Sequence, residues 1–157
     1  MYYFDTNAFW KYYFDQKGAL ETRQLVTTAT SQIFISQITL LECIGVLMKY
    51  YRKKVIKRKE LTSILKRIRR DVGTHNRLRP FRLISVTTGK FRNSEYILLS
   101  HADRHAIQTN DAIHLAVALD LASKGNQIIF VTSDKALLHV ATSHLMTCFD
   151  PEKDNHT

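Results

Sequence analysis

Four acids far apart in the chain, Asp5, Glu42, Asp111 and Asp134, are the residues best placed to do chemistry. Asp5 follows Tyr2, Tyr3 and Phe4, three strong strand formers, and Asp134 follows the apolar run 127–131 through Thr132 and Ser133. Both therefore fall at carboxyl ends of predicted strands. Glu42 and Asp111 fall in the first turns of predicted helices, where the helix dipole favours an anion. In an open parallel sheet, the strand ends and the helix N-termini that follow them open on one edge, where ligands bind. Taken singly, each acid has an ordinary explanation: a strand-end turn residue (Asp5), dipole compensation (Glu42 and Asp111) or a helix cap (Asp134). Nothing in those explanations obliges all four to share an edge, and the predicted elements put them on one. Two carboxylates ~4 Å apart repel by about 4 kcal/mol at an effective dielectric near ~20. A cluster of this kind calls for a counter-charge, and hard oxygen ligands suit Mg²⁺ or Mn²⁺.

The alternation of strands and helices supplies the scaffold. Residues 2–4 form a short central strand, and Asn7 is the expected N-cap of an aromatic helix over 8–14. Gly18 breaks the chain before a helix over 20–29, and residues 33–36 form a second strand. Apolar positions 40, 41, 44, 47, 48 and 51 predict a helix over 39–51. A basic amphipathic helix over 60–70 follows, with Leu61, Ile64, Leu65 and Ile68 inward. After a polar connection at 73–80 come a strand over 81–86 and a helix over 89–102. Thr109 or Asn110 is the expected cap of a helix over 111–123, which Gly125 ends. Strand 127–131, a helix from Asp134 to about Ala141 and a strand over 145–149 complete a single domain spanning 1–150. Residues 151–157 read as a polar, frayed tail. The class is α/β with a largely parallel sheet.

Charge marks a second feature. The net charge is +9, yet residues 49–70 hold eleven basic side chains against the single acid Glu60. These are Lys49, Arg52, Lys53, Lys54, Lys57, Arg58, Lys59, Lys66, Arg67, Arg69 and Arg70. The rest of the chain is nearly neutral, so the whole excess sits on one predicted helical hairpin, as expected of a surface that meets polyanions. A merely solvated face is the plainer explanation, but one-sided charge at this density costs self-repulsion. No apolar run approaches the ~20 residues of a membrane span. Cys43 and Cys148 lack metal-ligand spacing and read as buried thiols in a reducing cytoplasm. His114 reads as a core histidine, and His75, His101, His105, His139, His144 and His156 as unpaired. Asp103 and Asp120 read as solvated.

Four segments carry a family resemblance: Phe4-Asp5-Thr6-Asn7, Thr39-Leu40-Leu41-Glu42, Asn110-Asp111-Ala112-Ile113-His114-Leu115-Ala116 and Val131-Thr132-Ser133-Asp134. In this order and over nearly the whole length, the chain resembles the PIN domains and, within them, the VapC-type toxin ribonucleases. The resemblance implies a three-layer α/β/α fold with a central, mostly parallel sheet, from which the basic helical hairpin protrudes. It implies a Mg²⁺- or Mn²⁺-dependent endoribonuclease whose acids are Asp5, Glu42, Asp111 and Asp134, with Asn7 and Thr132 or Ser133 as polar neighbours. A small antitoxin, an RNA substrate and a homodimer are the partners it implies. The basic segment 49–70 is more cationic than the family pattern. Two rivals stand against this reading. One is a non-catalytic nucleic-acid-binding module using the hairpin. The other is a phosphotransfer domain, whose phosphatase form needs a second Asp where Asn7 stands.

Overall fold

A computed structural model describes residues 1–74, 79–101 and 103–153. Strands β1 (Tyr2–Phe4), β2 (Ile33–Ser36), β3 (Val72–Gly73), β4 (Phe81–Ile84), β5 (Ile129–Val131) and β6 (Thr147–Phe149) form one sheet in the order β3-β4-β2-β1-β5-β6. Every pairing is parallel. The first strand lies in the middle, with Tyr3 in register with Phe34 on one side and Phe130 on the other. The chain leaves it toward β2 and later returns on its other side through β5, so the sheet reverses its winding beside β1. That reversal opens a crevice at the carboxyl ends of β1 and β5.

Helices α1 (Thr6–Tyr13), α2 (Ala19–Thr28), α3 (Gln37–Arg52), α4 (Arg58–Asp71), α5 (Thr88–His101), α6 (Thr109–Ala122) and α7 (Lys135–Ser143) complete an α/β/α sandwich. Alternation along the strands divides the core in two. Tyr3, Phe34 and Phe130 face α6 and α7, packing with Leu115, Val117, Leu137 and Val140. Phe4, Ile33, Ile35, Phe81 and Val131 face the other way, toward Phe9 and Trp10 of α1, Cys43 and Leu47 of α3 and Ile68 of α4. Tyr3, Phe4, Phe9, Phe81 and Phe130 are fully buried, each contributing roughly 1.5–3 kcal/mol through lost apolar exposure. The strand holding Asp5 is thus clamped on both faces.

Several boundaries differ from the sequence reading. Asp5, and not Asn7, caps α1: its Oδ1 accepts from the Ala8 amide at 2.7 Å, because the helix begins immediately after the strand. Gln108, and not Thr109 or Asn110, precedes α6, its amide held by the Asp111 carboxylate at 2.7 Å. Helix α3 starts at Gln37 because Ser36 and Thr39 cap one another reciprocally, Ser36 Oγ accepting from the Thr39 amide at 3.2 Å. Gly73, read as the start of a connection, pairs together with Val72 as an edge strand against Phe81 and Arg82. Residues 75–78 of that connection, His75 among them, lie outside the described residues, as do Ala102 and residues 154–157 with His156. His101 and His144 touch Nε2 to Nε2 at 3.1 Å. Fraying does not begin at Pro151. Pro151 is buried and Glu152 forms an ion pair with Lys11 at 2.7 Å. No described helix is long and apolar enough to cross a membrane.

Candidate active site

Asp5, Glu42, Asp111 and Asp134 line a single cavity of about 300 Å³ at the crevice beside β1. Four elements deliver them: the end of β1, the second turn of α3, the first turn of α6 and the cap of α7; Glu42 lies beyond the first turn expected for it because α3 starts already at Gln37. Asn7, on the first turn of α1, lines the same cavity. Thr132 does not line it but donates its hydroxyl to Asp5 Oδ2. The same Thr132 oxygen accepts from the Asp134 amide at 3.0 Å, so one buried side chain ties the first acid to the last. Ser133 makes no such contact. Its Oγ is buried without a partner among the described residues.

Oxygens of the other acids are also engaged. Glu42 accepts from Thr6 Oγ1, from Asn110 Nδ2 at 2.6 Å and from His114 Nε2 at 3.0 Å. His114 is 2 % exposed, and its Nδ1 lies 2.9 Å from the Tyr3 hydroxyl. It is a core histidine as expected, and it also belongs to the cavity wall. Asp134 Oδ1 accepts from the Leu137 amide at 2.9 Å, so the helix-capping explanation of this acid holds alongside its place in the cavity. Thr6, Asn110 and His114 went unread in the sequence as site residues. Their one signal is position: Thr6 follows Asp5, Asn110 precedes Asp111, and His114 lies one helical turn beyond it.

Burial and hydrogen bonding pull these carboxyls in opposite directions. Burial pushes Asp5 up to about 6, against the opposing pull of His114, the Ala8 amide, Thr132 and Lys11. Burial also raises Asp111; its hydrogen bond from Gln108 opposes this, and the Asp134 and Glu42 charges add to the rise. Glu42 goes the other way. Its burial is outweighed by the hydrogen bonds from His114, Thr6 and Asn110, which hold it below the ordinary carboxylate range.

Among the described residues, no three His, Cys, Asp or Glu side chains form a ready-made ligand group for one ion. The carboxylate oxygens are instead turned onto protein donors. The donor set nonetheless fits a hard divalent cation. It is all oxygen, burial makes the charge of two of its acids costly, and the orphaned Ser133 hydroxyl stands beside Asp134. Each carboxylate offers about four lone-pair positions, so the protein donors leave room for a metal or its waters.

All eleven basic side chains of 49–70 are exposed along the end of α3, the following turn and α4. Three also serve the fold. Arg67 lies over the Tyr13 ring at 5.5 Å, Arg70 pairs with buried Asp71 at 2.9 Å, and Arg69 borders an apolar groove between α3 and α4.

The family model described as PIN domain matches residues 2–142. No curated protein matches the chain. Among solved structures, it is similar to FitAcB from Neisseria gonorrhoeae, with a TM-score of 0.65, 16% identity and coverage of 96% of this chain and 98% of that one. VapC20 of Mycobacterium tuberculosis, a toxin that cleaves the sarcin-ricin loop, superposes with a TM-score of 0.63 at 16% identity, over 88% and 94% of the two chains. VapBC2 from Rickettsia felis, bound to a fragment of its promoter DNA, gives 0.65 at 14% identity, over 95% and 97%.

Proposed function

Because the chain belongs to the PIN-domain family, we propose that it is a Mg²⁺- or Mn²⁺-dependent endoribonuclease, the toxin of a type II toxin–antitoxin pair. The observation that carries this reading is the meeting of Asp5, Glu42, Asp111 and Asp134 around one cavity at the sheet's reversal point. Asp5 and Asp111 would hold the ion directly, and Glu42 and Asp134 directly or through water. When bound, a divalent ion supplies Lewis acidity that activates water and neutralises charge on the phosphate. The chain's own residues do the rest. Glu42, kept ionised by three donors, accepts the proton of the attacking water. Thr132 fixes the Asp5 carboxylate, and Ser133 and Asn7 orient water around the acids. The basic hairpin grips backbone phosphates without reading sequence.

The toxin assignment is supported by the fold shared with toxin–antitoxin proteins. In this reading a small antitoxin covers the acidic crevice, the enzyme is a homodimer and it works in the cytoplasm. Growth arrest on expression, relieved by a small neighbouring open reading frame, is the expected cellular behaviour. The decisive variant is Asp5→Asn. It should abolish metal-dependent RNA cleavage while the fold and most RNA binding persist, and full activity in that variant would end the reading.

A further inference from the structure

Helices α1 and α3 pack side by side, and each carries a row of side chains leading away from the acids. On α3 the row is Glu42, Val46 and Tyr50, spaced one turn apart, and on the α1 side it is Asn7, Trp10 and Phe14. Val46 and Trp10 line the acidic cavity with Glu42 and Asn7. One turn further out, Trp10 stacks on Phe14 at 3.6 Å between ring centroids with planes 13° apart, and Tyr50 leans on both at 5.6 and 6.4 Å. Trp10 is 8 % exposed and Phe14 half-buried, while Tyr50 opens to solvent at 37 %. Lys49, Arg52 and Lys53, all exposed, share the last turn and cap of the helix with Tyr50, Lys53 one turn beyond it. The track therefore runs from carboxylates, through three aromatic rings, to cations. From Glu42 to Tyr50 it covers about 12 Å at ~1.5 Å per residue.

We infer that Trp10, Phe14 and Tyr50 form a stacking platform for an unpaired base of single-stranded RNA, next to the nucleotide whose phosphate reaches the acids. The inference rests on the ribonuclease reading for its substrate. Its chemistry is local: an aromatic face beside a cationic rim takes any base, because every base has a π-face. A paired base cannot use it, so the platform selects unpaired RNA over duplex. A wholly structural aromatic cluster would not need Tyr50 open at the foot of the basic hairpin.

The test uses the intact protein in EDTA, so that binding is read without cleavage. The probes are a fluorescent single-stranded oligouridylate, the same oligomer with abasic positions and a duplex of equal length. Tyr50→Leu and Phe14→Leu keep apolar bulk and remove the ring, and Tyr50→Phe is the conservative control. Each Leu variant should weaken oligouridylate binding roughly tenfold, the range for loss of one base–aromatic stack. Tyr50→Phe should bind as the unaltered protein does, and the abasic oligomer should bind all variants alike. Trp10, the chain's one tryptophan, should lose fluorescence on oligouridylate binding and not on abasic binding. Equal affinity for the base-bearing and abasic oligomers, unchanged affinity in both Leu variants, or preference for duplex would overturn the platform. Absence of cleavage by the unaltered protein with Mn²⁺ or Mg²⁺, with the base-dependent binding intact, would sink the nuclease reading alone.

Discussion

At the scale of single residues, Asp5 does two jobs that oppose one another. It caps α1 and ends the central strand, which buries it, and burial makes its charge costly. A carboxyl raised from 3.8 to about 6 binds more protons folded than unfolded between pH ~4 and ~6. The metal-free protein should therefore lose stability as pH rises through that window, by about 3 kcal/mol in all. Asp5→Asn should recover roughly 1–3 kcal/mol at pH 7; thermal melts with and without Mn²⁺ check this. The ion should raise the melting temperature of the unaltered protein and leave the variant nearly unmoved, and an equal shift in both would place the ion elsewhere. His114 argues in the other direction. As a donor that holds Glu42 ionised, it should extend activity to lower pH, so His114→Gln should move the acid limb of the kcat/KM profile upward. Its part was hidden in the sequence because a histidine three residues past an acid is indistinguishable from a core residue until Tyr3, brought from the first strand, is seen on its other nitrogen.

At the scale of elements, the sequence showed which segments are helix or strand far better than how they begin. Periodicity marks α3 and α4 because each buries one stripe, and it placed Asp111 in a first turn correctly; Glu42 falls one turn deeper than expected because the Ser36 cap starts α3 at Gln37. It misplaced two caps because composition does not show how directly a helix starts: α1 begins at Thr6, immediately after β1, so Asp5 caps it, and Gln108 precedes α6. Two-residue β3 left no pattern to read, since its partner Phe81 comes after the intervening connection. The seam between α1, α2 and the chain's end was equally silent. Gly18 has φ +77°, and a Cβ there would stand 2.8 Å from the Pro151 carbonyl oxygen. Gly18→Ala should cost roughly 1–3 kcal/mol through strain and displacement of that segment, read as a lower urea midpoint. The same displacement would loosen Glu152 from Lys11, the buried ammonium that also holds Asn7 at the cavity rim.

Across the whole molecule, opposite charges are kept apart: acids gather in the crevice and cations spread along α3 and α4. Affinity for RNA should then depend on salt through the cations while turnover depends on the acids. Replacing Lys53, Lys59 and Lys66 together by Gln should flatten the slope of log affinity against log salt by about 2, at ~0.7 per phosphate contact on a single strand. Cleavage at saturating RNA should be unchanged, and an unaltered slope would remove these lysines from the interface. The sheet order adds a condition on when such an enzyme comes into being. Asp5 is synthesised before every lysine and arginine of the hairpin, yet Thr132, which fixes it, and Asp134 come after them all. A ribosome stalled before β5, or a protease that clips the protein there, would leave a polypeptide that carries every cation of the hairpin and lacks both Thr132 and Asp134.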